Sequence, residues 1–433
     1  MSVQPPPAVM APGDVDFEDL KGRLHSPEFG KIANSPWYRE AVYDTFSEEE
    51  YERRYAATRE KMQRLGLDVL IACGGPNHWS WGGGMRWLSG YWEWHGASAY
   101  VVVPAEGSPV LVAGPAGAHR EAIRRLSYVR EVRQSRGGRS GEVIAELLAE
   151  RGLAGGTVGI SYVDPVYGHY PPHNEVETLR TLLPEADLTF VGDFFHDFLR
   201  AKSPEEARCV ATAGRLLDQA LHAMCAAARP GAAEYEVAAA ATQPILRGGG
   251  QVNFTIVGST TMADPALAFG NPWPSSRRIQ EGDIIINELA CGYNGYTVQL
   301  GSPICVGTPP EWISRFFYEV VRPGFDRTAA QLQPGNTWED VRRAGQFFRE
   351  QGYDGRPLLL HTMDHVTHKP HVYWDRVEAP EGHEAIVPGI SLMLEPTVIT
   401  PDGTLGLFFG RSFLITEDGH EQVTRFPKEL IVV

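Results

Sequence analysis

The chain has 433 residues, 43% apolar and 21% charged, with a formal net charge of −15. That composition is that of a globular protein long enough for two domains. The acidic balance excludes nucleic acid and anionic membrane as partners, since both need a basic surface, and no apolar run reaches the roughly 18–20 residues of a membrane span.

In chain order, the opening MSVQPPPAVMAPGDVDFEDL is proline-rich and acidic, without the basic start and apolar stretch of a signal peptide. Residues 1–50 read as an arm draped over a partner subunit. The stretch SEEEYERRYAATREKMQRLGLD predicts a helix with a cap at Ser47 and a glycine stop. LDVLIAC (67–73) and SAYVVVP (98–104) predict buried strands, and GEVIAELLAERG (141–152) a helix. TVGISY (157–162) and DLTFVG (187–192) predict further strands, which makes residues 51–198 an α/β domain. Ser203, Pro204 and Glu206 form a capping-box signal that opens a long helix and a second domain, 199–433. Beyond it come strands at 282–290 and 391–399 and helices at 312–332 and 337–351. Segments 229–250 and 333–355 echo each other: Pro-Gly, a valine seven residues past the proline (Val237, Val341), then a late glycine. Five scattered cysteines predict reduced, buried thiols in a cytoplasmic protein. A nucleophilic Cys291 is weighed against a buried structural thiol, and the structural role is the commoner one.

The segment IQEGDIIINELACGYNGYTVQLGSPICVG resembles the strand pair of the pita-bread-fold proteins: prolidase, aminopeptidase P, methionine aminopeptidase and creatinase. His361 after an apolar run, PGISLMLEPTVITPDG (388–403) and FLITEDGHEQVTRFP (413–427) follow in the same order. The resemblance covers residues 51–433 and implies an α/β (α+β) chain with a creatinase-like N-terminal domain and a C-terminal pita-bread domain. The family's metallopeptidases hold two metals with two Asp, one His and two Glu. Here those positions fall on Glu288, Gln299, His361, Glu395 and Gly410. A Gln amide is a poor ligand and Gly offers none, so a two-metal site is not expected. Creatinase, similar in fold, works without the metals. Its catalytic His falls on Asn271 here and one carboxylate on Gly301, while its later Glu and two His match Glu395, His361 and His368.

Without metals, Glu288 and Glu395 share a cavity, and repulsion plus burial should raise at least one pKa. His361 and His368 would complete an acid–base set. In LLLHTMDHVTHKPHVYW, His361, His365 and His368 would share one face of a helix, but LLL before them and Pro370 after them favour a strand entering a loop. Asp364, His365 and His371 are read as a substrate-binding wall, with Asn271 and Gln299 orienting substrate. Five tryptophans lie between Trp79 and Trp94. Trp92 and Trp94 are candidates for binding a cationic or flat group, with Glu93 adding attraction for a cation. Arg411 is a candidate for a substrate carboxylate.

The leading expectation is a homodimeric enzyme without cofactor, hydrolysing or eliminating at a C–N or similar bond of a small polar metabolite. The N-terminal domain of one subunit would close its neighbour's site. The alternatives are an Xaa-Pro dipeptidase with one divalent metal on Glu288, His361 and Glu395, and a non-catalytic binding module.

Overall fold

The computed structural model of the chain describes residues 43–75, 82–94, 96–114, 120–164, 166, 168–362 and 368–433. The first helix, α1 (Glu48–Leu65), begins where predicted: the Ser47 hydroxyl accepts from the Glu50 amide at 3.1 Å. It ends at Gly66, whose φ of 66° lies in the left-handed region that glycine enters without a Cβ clash.

The N-terminal sheet comprises β1 (Val69–Gly74), β2 (Ala99–Pro104), β3 (Val110–Val112), β4 (Glu131–Arg133), β5 (Thr157–Ile160) and β6 (Asp187–Phe190). Their order is β4-β3-β2-β1-β5-β6. β1 lies at the centre, antiparallel to β2 and parallel to β5. Every residue of β1 and β2 is buried, because apolar clusters cover both faces of the sheet. Such strands read as unbroken apolar runs, not as alternation.

The second domain opens with α2 (Pro204–Ala227) and α3 (Glu234–Arg247). At the start of α2 the Ser203 amide donates to Glu206 at 2.7 Å and the Glu206 amide to the Ser203 hydroxyl at 3.3 Å. The strands that follow are β7 (Gln251–Thr261), β8 (Asp283–Tyr293), β9 (Tyr296–Gly301), β10 (Ile304–Cys305) and β11 (Asp354–Gly355). Next come β12 (Leu358–Thr362), β13 (His371–Tyr373), β14 (Val377–Glu378), β15 (Ser391–Leu394) and β16 (Thr397–Ile399). β17 (Gly406–Phe408), β18 (Gly410–Thr416), β19 (Gly419–Gln422) and β20 (Ile431–Val432) complete them. One large sheet runs β14-β13-β12-β15-β18-β9-β8-β10-β20, with β7 also on β8. Alternation along β8 and β9 sends Ile285, Leu289, Cys291, Val298 and Leu300 into the apolar cluster of α2 and α3. Glu288 and Gln299 thereby face the other side.

The predicted strand 391–399 is two strands in different sheets. Pro396 lacks an amide proton, so it ends β15, and β16 joins β11 and β17 in a three-stranded sheet. The predicted helix 312–332 is helical from Glu311 to Ala329 but carries a π-helical turn at Phe316–Val321.

The sequence echo corresponds to one structural unit built twice. Gly231 and Gly335 take φ of 86° and 93°. The Ala233 and Thr337 amides donate to Glu236 and Asp340, three residues on, at 2.7 and 2.8 Å. Val237 and Val341 are both fully buried, and Ala233 bridges Arg278 as Thr337 bridges Ala385.

A buried charged knot joins the domains. Arg54 of α1 is 0% exposed and donates to Glu50 (2.8 Å), the Trp87 carbonyl (2.7 Å) and Glu206 of α2 (3.0 Å). Trp87 Nε1 and the Tyr296 hydroxyl also donate to Glu206, at 2.9 and 2.6 Å. Phe46 lies against the guanidinium, 4.2 Å from ring centre to Cζ. Among the described residues no helix is long and apolar enough to cross a membrane, and all five cysteines are free thiols.

Candidate active site

Four strands bring four of the sequence candidates together. β8 supplies Glu288, β9 Gln299 and β12 His361, and Glu395 follows the last residue of β15. Glu395 precedes Pro396, which favours an extended backbone there, and its amide donates to the Leu359 carbonyl at 2.8 Å. Its carboxylate thus turns toward β12 as β15 ends.

His361 is 6% exposed. Its Nδ1 lies 2.9 Å from the Thr362 carbonyl and its Nε2 3.1 Å from Gln299 Oε1 and 3.5 Å from Glu395 Oε1. Oxygen acceptors at both ring nitrogens suit an imidazolium. Burial opposes that charge, but the Glu395 carboxylate and the Thr362 carbonyl outweigh it and raise the His361 pKa. Glu288 is also buried. Burial first, and then repulsion from Glu395, push its carboxyl well above the usual range, with Arg356 pulling the other way. The site therefore couples a carboxylic acid that keeps its proton, a second and more exposed glutamate, and a histidine biased toward its charged form. Such a set can give and take protons in one cavity.

The fold family implies two divalent ions, and the donors here do not fit them. At Gly301 an added Cβ would stand 2.3 Å from Phe408 Cε1, and at Gly410 it would stand 2.2 Å from Met393 Cε. The thioether fills the volume at Gly410, one of the metal-carboxylate positions, and the phenyl ring fills it at Gly301, where a creatinase carboxylate falls. Gln299, at a third, already meets His361. Among the described residues no group of three or more His, Cys, Asp or Glu side chains is placed to hold an ion.

The other candidates are distributed differently. His368 is 2% exposed and sits edge-on to His196, 5.3 Å between ring centres. His371 pairs directly with His361 across β12 and β13, their rings 6.2 Å apart. Burial and the charge of His361 lower the His371 pKa to about 3, so it is neutral. His368 and His371 line a cleft of about 620 Å³ at the domain junction with His196, Lys369, Tyr373 and Glu378. That cleft adjoins the Glu–His cluster but is not the same space. Asn271 is exposed, and among the described residues only its backbone is engaged, by Val257 in both directions. Val257 neighbours Ile256, the cross-strand partner of Glu288. Asp364 and His365 lie outside the described residues.

The expectation for Arg411 fails, and the remaining candidates are placed as follows. Arg411 is not available to a substrate carboxylate: it is fully buried and donates to the carbonyls of Gly301, Gly410, Phe426 and Pro427 and to the Ser302 hydroxyl. It ties β18 to β9 and to the C-terminal segment. Glu93 is buried and accepts from the Tyr91 hydroxyl (2.9 Å) and the Gly114 amide (3.2 Å). Trp92 is half-buried and Trp94 is 52% exposed, and neither touches the Glu–His cluster within this subunit. Cys291 is a structural thiol, its Sγ donating to the Ala213 carbonyl and its pKa pushed up by burial.

Sequence reasoning missed Phe269, Arg356, Met393 and Phe408. Phe408 and Met393 look like any core residues in one dimension. Only the cross-strand pairing of Gly301 with Gly410 shows that a ring must fill the gap.

Residues 54–195 match the creatinase/prolidase N-terminal domain and residues 208–417 the metallopeptidase family M24. The Xaa-Pro dipeptidase of Pyrococcus furiosus is 27% identical over 262 residues, 60% of this chain and 73% of that protein. Two relatives align over nearly their whole length. Agropine synthesis cyclase of Rhizobium rhizogenes is 24% identical over 407 residues, and ectoine hydrolase of Halomonas elongata is 24% identical over 411. Each alignment covers 89% of this chain and 98% of the relative. Among solved structures, the Pyrococcus horikoshii prolidase superposes with a TM-score of 0.70 at 21% identity, over 88% of this chain and all of that one. The Thermococcus sibiricus prolidase gives 0.73 at 18%, over 90% of this chain and all of the other. These likenesses show a shared fold.

Proposed function

Because this chain belongs to the pita-bread creatinase/prolidase family, with its two-domain α/β architecture, we propose that it is a hydrolase of that family working without a catalytic metal, on a C–N bond of a small polar metabolite. One observation carries the reading: Glu288, Glu395 and His361 converge where the other two metal-carboxylate positions hold Gln299 and Gly410, with the Met393 thioether in the side-chain space at Gly410. The two relatives that align over 89% of this chain are a cyclase and a hydrolase of named small molecules, whereas the dipeptidase alignment covers 60%. That difference favours a metabolite over a peptide.

In this mechanism Glu395 takes a proton from water, and the hydroxide oxygen bonds to the carbon of the C–N group. The C–N bond then breaks as Glu288 gives its proton to the departing nitrogen. One water is consumed, and the proton on Glu395 returns to Glu288. His361, held by Gln299 and Thr362, keeps Glu395 oriented and balances its charge. The enzyme would work in the cytoplasm as a homodimer in which Trp92 and Trp94 of one subunit close the other's cavity.

Two measurements test this. Mass spectrometry of protein purified without added metal should find less than about 0.1 equivalent of any transition ion, against the one or two that metal catalysis needs. A screen of small C–N compounds by chromatography and mass spectrometry should find turnover that chelators leave unchanged. Loss to chelator with rescue by Mn²⁺ or Zn²⁺ would instead establish the single-metal dipeptidase.

The pH dependence follows from Glu288. Its folded-state pKa lies above its unfolded value, so the folded state binds more protons. Stability is fully present below the ordinary carboxylate range and is lost as pH rises through the raised pKa. The rate should fall over the same alkaline limb as the general acid loses its proton. A pH series of initial rates on the wild type reads that limb, and Glu288→Gln should abolish the pH dependence of stability, which a pH series of urea unfolding will read.

A further inference from the structure

Arg356 lies five residues before His361, and no motif singled it out. It is exposed, and its guanidinium stacks on Phe269 with Cζ 3.9 Å from the ring centre. Phe269 in turn meets Phe408 edge-on at 5.5 Å, and Phe408 fills the cavity floor beside Gly301 and Gly410. An aromatic column thus runs from the floor of the site to the arginine. Arg356 is also close enough to Glu288 for its charge to act on that carboxyl.

Its place beside Glu288 sets it apart from the other stacked arginines. Arg349 stacks on Trp374 and pairs with Asp354, Arg376 stacks on Tyr373 and pairs with Glu378, and Arg322 lies over Tyr318 and pairs with Glu429, while Arg327 lies over Phe347. The Arg356 side chain makes no ion pair or hydrogen bond to any described residue; only its backbone amide is engaged, by the Thr397 carbonyl at 3.2 Å. A stacked guanidinium is held in one plane, so its fork of donors is preorganised, and a planar carboxylate matches that fork with two parallel hydrogen bonds.

We propose that Arg356, clamped on Phe269, binds a carboxylate of the substrate and so selects small acids whose scissile nitrogen lies toward Glu288 and Glu395. This rests on the acid–base reading of the cavity and deepens it by naming the substrate class. It also supplies the anion-binding group that the buried Arg411 cannot provide.

The test is a binding preference, measured by isothermal titration at millimolar ligand with matched pairs: L-proline and L-prolinamide, N-acetylglycine and its amide, acetate and acetamide. In the wild type, at least one acid should bind about tenfold more tightly than its amide, a difference of about 1.4 kcal/mol. Arg356→Ala should erase that preference and Arg356→Lys retain part of it. Phe269→Leu, which removes the stack, should weaken it. Equal binding of acid and amide in every pair, no binding by any probe, or a preference that survives Arg356→Ala overturns the proposal. Failure of the catalytic reading is separable, because Glu395→Gln should leave the acid preference in place, whether or not turnover is lost.

Discussion

Glu395→Gln and His361→Ala are each expected to lower kcat by about 10³-fold, the size of effect that loss of a positioned proton donor or acceptor produces. Gln keeps the shape of Glu395 and leaves its backbone bond to Leu359 intact, so the protein should remain folded. What it removes is the oxygen that takes the proton from water. It also removes the charge that raises the His361 pKa. The two losses should therefore not add. The double variant should be about as slow as either single one, as found for residues that act as a unit. The check is kcat on the substrate found by screening, with circular dichroism and gel filtration as controls for folding and assembly. Near-full turnover in both single variants would end the acid–base reading.

The largest expected effect on stability lies far from the cavity. Arg54→Ala should cost about 3–5 kcal/mol, because it leaves Glu206 in the interior with only the half-exposed Arg53, 3.9 Å away, as a cation. Glu206 is 1% exposed and is shared by Arg54, Trp87 and Tyr296, so the loss is felt in both domains at once. Glu50 is less affected, since Arg53 still donates to it at 2.7 and 2.9 Å. Urea unfolding followed by tryptophan fluorescence should show the shift, with Trp87 reporting directly on the knot. Adding Glu206→Gln to Arg54→Ala should recover part of the loss, since the amide is cheaper to bury than an unpaired carboxylate. A shift below about 1 kcal/mol, as for an exposed pair, would refute this account.

Much of the scaffold was legible in the sequence because its signals are local. Ser47, Gly66, Ser203 and Pro204 act within a few residues of themselves, and the buried strands announce themselves as apolar runs. The convergence of Glu288, Gln299, His361 and Glu395 was reached by resemblance, since residues 107 positions apart share no local pattern. What stayed hidden depends on which face a residue takes and what it meets there. Arg411 looks like a free cation in sequence, yet strand register buries it among carbonyls. Arg356 looks like an ordinary surface residue, yet Phe269 holds it beside the cavity. Pro396 lies in plain view, and it divides the stretch 391–399 into two strands in different sheets.

The ring of Phe408 bears on history as well as on chemistry. A carboxylate restored at position 301 would enter space that the ring now occupies, and removing the ring first would leave a void costing about 3–5 kcal/mol. Set against a total margin of about 5–15 kcal/mol, either intermediate is a poor ancestor. Descent from a forebear with a carboxylate at 301 would therefore be hard to retrace one substitution at a time. In the lineage around this chain, glycine at 301 and 410 and an aromatic at 408 should be kept or exchanged together.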